Sequence, residues 1–70
     1  MDEKQIQMVR SYFATSEAAY CVASPSAAGG VSKEIKTNKK EDALAALGRA
    51  PEKARLFYFD GKILWMSVGK

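Results

Sequence analysis

Residues 55–66 have the sequence RLFYFDGKILWM, in which two apolar runs flank the dipeptide Asp60-Gly61. Aromatic and β-branched residues favour strands, and Asp-Gly favours the positive φ angles of a type I′ turn. A two-residue turn here predicts a β-hairpin that pairs Phe59 with Lys62, because the turn fixes the register of the two strands. This hairpin is the segment that decides the fold.

The predicted hairpin has apolar side chains on both faces. One face carries Phe57, Phe59, Leu64, Met66 and Val68, and the other carries Leu56, Tyr58, Ile63 and Trp65. Helices on both sides would bury both faces, whereas an uncovered apolar face commonly marks an interaction site. The second face is therefore a candidate interaction surface. Tyr58 and Trp65 are its central residues, because each joins a large apolar body to one polar group.

The residues before the hairpin predict three further elements. Residues 2–17 predict an amphipathic helix, with Ile6, Val9 and Phe13 on its apolar side. Alternation of period two predicts strands over 19–23 and 31–36, joined by a long, flexible connection rich in Gly, Ser and Pro. In the second strand the alternation places Val31, Lys33 and Ile35 on one face.

A short second helix is predicted between the two strand pairs. Asn38, followed by Glu41, resembles a capping box, and Thr37 is the alternative cap. Gly48 stands where a left-handed residue would end the helix. Its predicted apolar stripe consists of Ala43, Leu44 and Leu47.

The element order is helix, hairpin, helix, hairpin. It predicts one α+β domain over residues 1–70, with a four-stranded antiparallel sheet and the helices packed on one of its faces. A chain of 70 residues has a small core, and Cys21 is its only cysteine, so an intrachain disulfide is excluded. With no histidine either, a structural zinc site is not expected, which leaves a partner or self-association to supplement the core.

The net charge of +3 is unevenly distributed. Residues 33–55 contain seven basic and four acidic side chains, so this segment alone accounts for the net charge. The basic residues are Lys33, Lys36, Lys39, Lys40, Arg49, Lys53 and Arg55. They form a candidate basic patch for nucleic acid or an acidic protein, and the alternative is a solvated face of mixed charge.

No catalytic, cofactor-binding or metal-binding residues are predicted. Without histidine the commonest general base is absent, and Cys21 has no activating neighbour in the sequence, so it is expected to be a small buried apolar residue. The Gly29-Gly30 segment lacks the lysine and the following helix of a P-loop. The acidic residues fall mostly at helix ends, at a turn or on solvent-facing positions, so enzymatic activity is not expected.

The sequence predicts a small binding or regulatory module that acts through protein–protein contact. It is expected to self-associate as a homodimer or to dock on another protein through the C-terminal hairpin. The alternative is a nucleic-acid-binding module in which Tyr58 and Trp65 stack on bases beside the basic residues. A polar N-terminus and the absence of a long apolar run predict neither secretion nor membrane insertion, and therefore a cytoplasmic location.

Overall fold

The computed structural model describes residues 2–14 and 18–67 and confirms a small α+β domain. Residues 15–17, the predicted end of the first helix, and Val68 of the hairpin lie outside the described residues. The elements are α1 (Glu3–Ala14), β1 (Tyr20–Pro25), β2 (Val31–Thr37), α2 (Lys40–Arg49), β3 (Arg55–Phe59) and β4 (Leu64–Met66). All strand pairs are antiparallel, in the order β2-β1-β3-β4.

The two helices cover opposite faces of the sheet. Val9 and Phe13 of α1 pack on Cys21, Ala23 and Phe57. The alanine-rich side of α2 packs on Val22, which points the other way from the central strand β1. The prediction that both helices share one face is therefore wrong. Alternation along β1 places apolar side chains on both faces, and each set needs its own cover.

The C-terminal hairpin is confirmed, but its turn is wider than predicted. Type I′ geometry needs positive φ at both central residues, and only Gly61 has it, at +100°. The Asp60 carboxylate accepts the backbone N–H groups of Lys62 (2.9 Å) and Ile63 (2.8 Å), which closes a four-residue connection. Phe59 consequently pairs with Leu64 rather than with Lys62.

This change shifts the register by two residues. Phe57 pairs with Met66 and Tyr58 pairs with Trp65, where the two-residue turn predicted Leu64 and Ile63 as their partners. Because side chains alternate with period two, a two-residue shift leaves every strand side chain on its predicted face. The predicted faces of the paired strands are therefore correct although the predicted pairs are wrong.

A β-bulge divides the predicted face of β2. Val22 pairs with Ile35, but Ala23 pairs with Lys33, so Glu34 is an extra residue in β2. Val31 packs with the buried residues on the α1 side, and Ile35 packs with those on the α2 side. The first set, the α1 cluster, consists of Val9, Phe13, Cys21, Ala23 and Phe57. The second set, the α2 cluster, consists of Val22, Ala43, Ala46, Leu47, Ala50 and Ala54. The prediction that Val31, Lys33 and Ile35 share one face is wrong because simple alternation does not allow for the extra residue.

The connection between β1 and β2 is short and hydrogen-bonded. Strand β1 continues to Pro25, and the Ser26 N–H donates to the Gly30 carbonyl at 2.9 Å. Gly29 has φ of +91° and donates its N–H to the Ser26 carbonyl at 3.0 Å. The expected long, flexible connection is thus a compact turn, in which Gly29 supplies the left-handed backbone.

Helix α2 begins and ends differently from the prediction. Lys39 occupies the N-cap position without a side-chain cap, while the Asn38 side chain accepts the N–H of Ala19 at 2.8 Å. Gly48 lies inside the helix and lacks a positive φ, and Ala50 follows as the C-cap. Leu44, predicted to face the core, is 48% exposed, because the buried side of the helix is formed by Ala43, Ala46 and Leu47.

Candidate functional site

The candidate interaction surface is centred on an aromatic row that crosses three strands. Tyr20, Tyr58 and Trp65 occupy neighbouring positions in β1, β3 and β4, since Tyr58 is the register partner of both others. The rings of Tyr20 and Tyr58 lie 5.1 Å apart between centroids at an angle of 39°. Cross-strand partners share a face, so the aromatic row lies on the α2 side of the sheet, where Tyr20 borders the α2 cluster.

Helix α2 covers this face unevenly. Leu56 is half-buried and packs against the α2 cluster. Tyr58 is 37% exposed and Trp65 is 55% exposed, as the cover ends before β4. Ile63 is 52% exposed but lies in the connection before β4, not in the strand. The structure therefore brings Tyr58 and Trp65 together and leaves both accessible, while Leu56 belongs largely to the core.

Two residues near this surface were not predicted to belong to it. Tyr20 extends the aromatic row from β1, and the pairing of β1 with β3 has no turn in the sequence that would reveal it. Met66 was placed on the covered face, yet it is 45% exposed beside Trp65 at the edge of the sheet. Its position at the outermost strand is the reason, since strand order decides which apolar residues find cover.

The seven basic residues do not form a single surface. Lys33 and Arg55 both pair with Ala23, and Lys36 pairs with Cys21, which places these three on the α1 side. The Lys33 Nζ lies 5.2 Å from the Tyr12 ring centroid, and the Lys36 Nζ donates to the Tyr12 carbonyl at 3.5 Å. The other four lie in or beside α2, on the opposite side: Lys39, Lys40, Arg49 and Lys53.

A groove beside α1 holds polar side chains that make contacts within the fold. Residues 2–14 and 18–67 contain no group of three or more potential metal-ligating side chains. A groove of about 380 Å³ beside α1 is lined by Gln7, Arg10, Ser11, Ala14 and Phe59. Within it the Ser11 hydroxyl donates to the Met8 carbonyl at 2.6 Å, and the Arg10 guanidinium lies 5.3 Å from the Phe59 ring centroid. Both groups are thus engaged in contacts within the fold.

Cys21 is fully buried in the α1 cluster, as expected. Burial raises the pKa of the Cys21 thiol from 9.0 to about 11, and the nearby Lys33 and Lys36 offset only part of this effect. The thiol is therefore protonated at neutral pH, and it is the thiolate that reacts with electrophiles.

We expect Cys21 to resist iodoacetamide at pH 8 in the native chain and to react rapidly in 8 M urea. Because the folded pKa lies above the unfolded one, the protonated thiol favours the folded state below pH 9, and this contribution is lost between pH 9 and about 11. Mass spectrometry at timed intervals measures the alkylation. Equal rates with and without urea would contradict the burial of Cys21.

Asp60 should make the fold sensitive to acid. The backbone N–H of Ile63, followed by that of Lys62, holds the pKa of the Asp60 carboxyl below 3.8, with a smaller contribution from the Trp65 side chain. The ionised form therefore stabilises the folded state above pH 3.8, and this stabilisation is lost as the pH falls through the folded pKa. Asp60→Asn removes the titration and keeps an acceptor oxygen.

We expect the urea midpoint of the unchanged chain to fall more steeply below pH 4 than that of Asp60→Asn. Comparing the two chains cancels the titration of the other carboxyl groups. Parallel curves between pH 7 and pH 2 would show that the Asp60 carboxylate does not close the connection between β3 and β4.

The comparisons with known proteins define no class for this chain. No protein-family model matches it, and no curated protein or solved structure is significantly similar to it. In the described part of the chain, neither helix has the length and apolar character needed to cross a bilayer. The function of this chain is therefore inferred from the geometry of its sheet.

Proposed function

We propose that this chain is a small, non-enzymatic binding or regulatory module that acts through protein–protein contact on its C-terminal hairpin. One observation carries the proposal: Tyr58 and Trp65 are register partners at the end of the sheet that α2 leaves uncovered, and they are 37% and 55% exposed. Large aromatic side chains with a polar group concentrate at the energetic centres of interfaces. Burying them against a partner would also supplement a small core.

The nucleic-acid alternative would use the same aromatic side chains for stacking on bases. Such sites combine stacking platforms with cations that follow the phosphate backbone. Here Lys33, Lys36 and Arg55 lie on the α1 side of the sheet, away from Tyr58 and Trp65. The other four basic residues share the α2 side with these rings, but they belong to α2 and its flanks, and the cover by α2 ends before β4. The division of the basic residues between two sides makes protein–protein contact the better-supported proposal.

Trp65→Ala should weaken protein binding by at least about tenfold while the domain stays folded. We expect an effect on the free energy of unfolding of about 1 kcal/mol, because Trp65 is half-exposed and loses its cross-strand position opposite Tyr58 and the exposed hydrogen bond of its side chain to Asp60. Leu44→Ala is the matched control, since Leu44 is a 48% exposed leucine on α2, outside the hairpin. Urea unfolding measures stability for all three chains.

Binding is measured in two ways for the same three chains: self-association by sedimentation equilibrium, and capture of other proteins from a lysate of the source organism. The proposal predicts that at least one of these depends on Trp65 and is unchanged by Leu44→Ala. Binding that is insensitive to Trp65 in both assays would refute it. Quenching of Trp65 fluorescence by a single-stranded oligonucleotide, weakening steeply with salt, would favour the alternative instead.

A further inference from the structure

The two edges of the sheet differ in how they are protected against pairing with another strand. Edge strands expose unpaired backbone groups, and proteins block them with charges, bulges or short lengths. Strand β2 carries Lys33, Glu34 and Lys36 as well as the β-bulge. Strand β4 contains only Leu64, Trp65 and Met66, with no charge and no bulge. Within residues 2–14 and 18–67 its protection is limited to its short length, so β4 is the edge open to another strand.

The hydrogen bonds of the hairpin show which backbone groups of β4 face the open edge. The Asp60 N–H donates to the Ile63 carbonyl at 3.3 Å, and the Ser67 N–H donates to the Leu56 carbonyl at 2.8 Å. Residues 63 and 67 therefore direct their backbone groups toward the β3 side, and by alternation Trp65 does too. The N–H and carbonyl groups of Leu64 and Met66 consequently point away from β3.

Two β4 strands with this arrangement of outward backbone groups can pair with each other. In an antiparallel pair, hydrogen-bonded positions alternate with positions that are not hydrogen-bonded. If two β4 strands meet with Trp65 opposite Trp65 of the second copy, Leu64 of each chain lies opposite Met66 of the other. The outward groups of these residues then form four intermolecular hydrogen bonds. The two Trp65 side chains meet at the close, non-hydrogen-bonded position on the same face.

We propose that the partner of the hairpin is a second copy of this chain, an inference that rests on the proposed function. The two copies join through β4 about a two-fold axis at Trp65 and form a continuous eight-stranded sheet. The charge distribution favours a second copy as the partner. The chain carries +3, so two copies repel on average, but Leu64–Met66 brings no charge into the contact between the strands. The same pairing at β2 would bring Lys33 and Lys36 of two copies close together.

The contact would also cover the exposed apolar residues on both sides of β4. Trp65 and Met66 are 55% and 45% exposed and, as neighbours in a strand, lie on opposite faces. Three paired residues form a short interface, at the small end of the range for specific association. The dimer is therefore expected to be weak and reversible, and to be detectable between about 10 μM and 1 mM protein.

Met66→Pro tests the dimer without disturbing the hairpin. The Met66 N–H points to the open edge, where proline is tolerated because the N–H makes no bond within the fold. We expect the unchanged chain and Met66→Ala to associate with rising concentration in sedimentation equilibrium. Met66→Pro should remain monomeric throughout, with the circular dichroism of a folded domain. A monomeric unchanged chain at about 1 mM, or a dimer that survives in folded Met66→Pro, would overturn the proposal.

Cysteine cross-linking tests the register of the proposed β4 pair. It also shows whether the dimer forms if Met66→Pro fails to fold. Under mild oxidation at about 1 mM, cysteines at directly opposed strand positions should form a disulfide, and variants at Leu64 and Met66 keep Trp65 in the contact. Leu64→Cys and Met66→Cys should cross-link poorly alone and efficiently when mixed in equal amounts. The unchanged chain is the control, as Cys21 is buried. Equal cross-linking of Leu64→Cys alone and in the mixture would refute this register.

Failure of the second-copy proposal can be told apart from failure of the proposed function. A chain that stays monomeric but captures a different protein in a Trp65-dependent manner overturns the dimer and leaves the binding function in place. A chain that does neither overturns both.

Discussion

Replacing Phe57 with alanine is expected to leave the chain unfolded at 25 °C. Phe57 is fully buried at the centre of the sheet, where its register partners are Cys21 in β1 and Met66 in β4. It belongs to the same cluster as Val9 and Phe13 of α1. Truncating a buried phenylalanine costs about 3–5 kcal/mol, and the core of a domain this small rarely supplies more than about 3–5 kcal/mol. The loss therefore equals the expected stability of the domain.

Far-ultraviolet circular dichroism and urea titration measure this effect. Phe57→Leu is the conservative control, because it keeps most of the buried volume and should unfold cooperatively at a lower midpoint. Trp65→Ala removes a larger ring from the same hairpin but from an exposed position, and it should fold. A cooperative transition for Phe57→Ala near the midpoint of the unchanged chain would mean that Phe57 is not at the centre of the core.

The sequence predicts the hairpin well because its signal is local. Asp60-Gly61 locates the turn, and alternation assigns Phe57 to one face and Tyr58 to the other whichever turn forms. The predicted pairs failed for an equally local reason: the Asp60 carboxylate binds the N–H groups of Lys62 and Ile63 and holds a wider turn. Dipeptide preferences describe φ and ψ angles, and they do not include this side-chain hydrogen bonding.

The cover over each face could not be predicted, because it depends on contacts between distant parts of the chain. The pairing of β1 with β3 brings Tyr20 beside Tyr58, and no turn in the sequence marks it. The position of α2 leaves Trp65 exposed at β4, an outcome decided by strand order rather than by hydrophobicity. The candidate surface was thus predicted as a set of residues on one face, but its accessible part emerges only from the tertiary structure.

Helix α2 shows the same limit on a smaller scale. Its buried residues within the helix are Ala43, Ala46 and Leu47. The sequence prediction preferred Leu44 to Ala46, because a large side chain gives a stronger periodic signal than alanine. Ala43, Ala46 and Leu47 recur at helical spacing and pack on Val22, so contact with the sheet, which is a tertiary property, decided which side of α2 is buried.

Gln5→Ala is expected to destabilise the domain by about 2 kcal/mol, because one side chain has two structural roles. The Gln5 Oε1 accepts the Asp2 N–H at 3.0 Å, and the Asp2 carboxylate accepts the Gln5 N–H at 2.8 Å, a reciprocal cap at the start of α1. The Gln5 Nε2 donates to the Gly30 carbonyl at 3.0 Å, which ties α1 to the turn between β1 and β2. Gln5 is only 8% exposed, so water compensates poorly for these bonds.

Two comparisons separate the stabilisation by the cap from that by the hydrogen bond between Gln5 and Gly30. Asp2→Ala removes the carboxylate half of the cap and leaves the bond to Gly30, so Gln5→Ala should cost about 1 kcal/mol more than Asp2→Ala. Gln7→Ala, at an exposed position of the same helix, should change the urea midpoint little. Equal midpoints for Gln5→Ala and Gln7→Ala would show that neither bond stabilises the fold. Equal losses for Gln5→Ala and Asp2→Ala would assign the whole effect to the cap, and α1 would then be held on the sheet by Val9 and Phe13 alone.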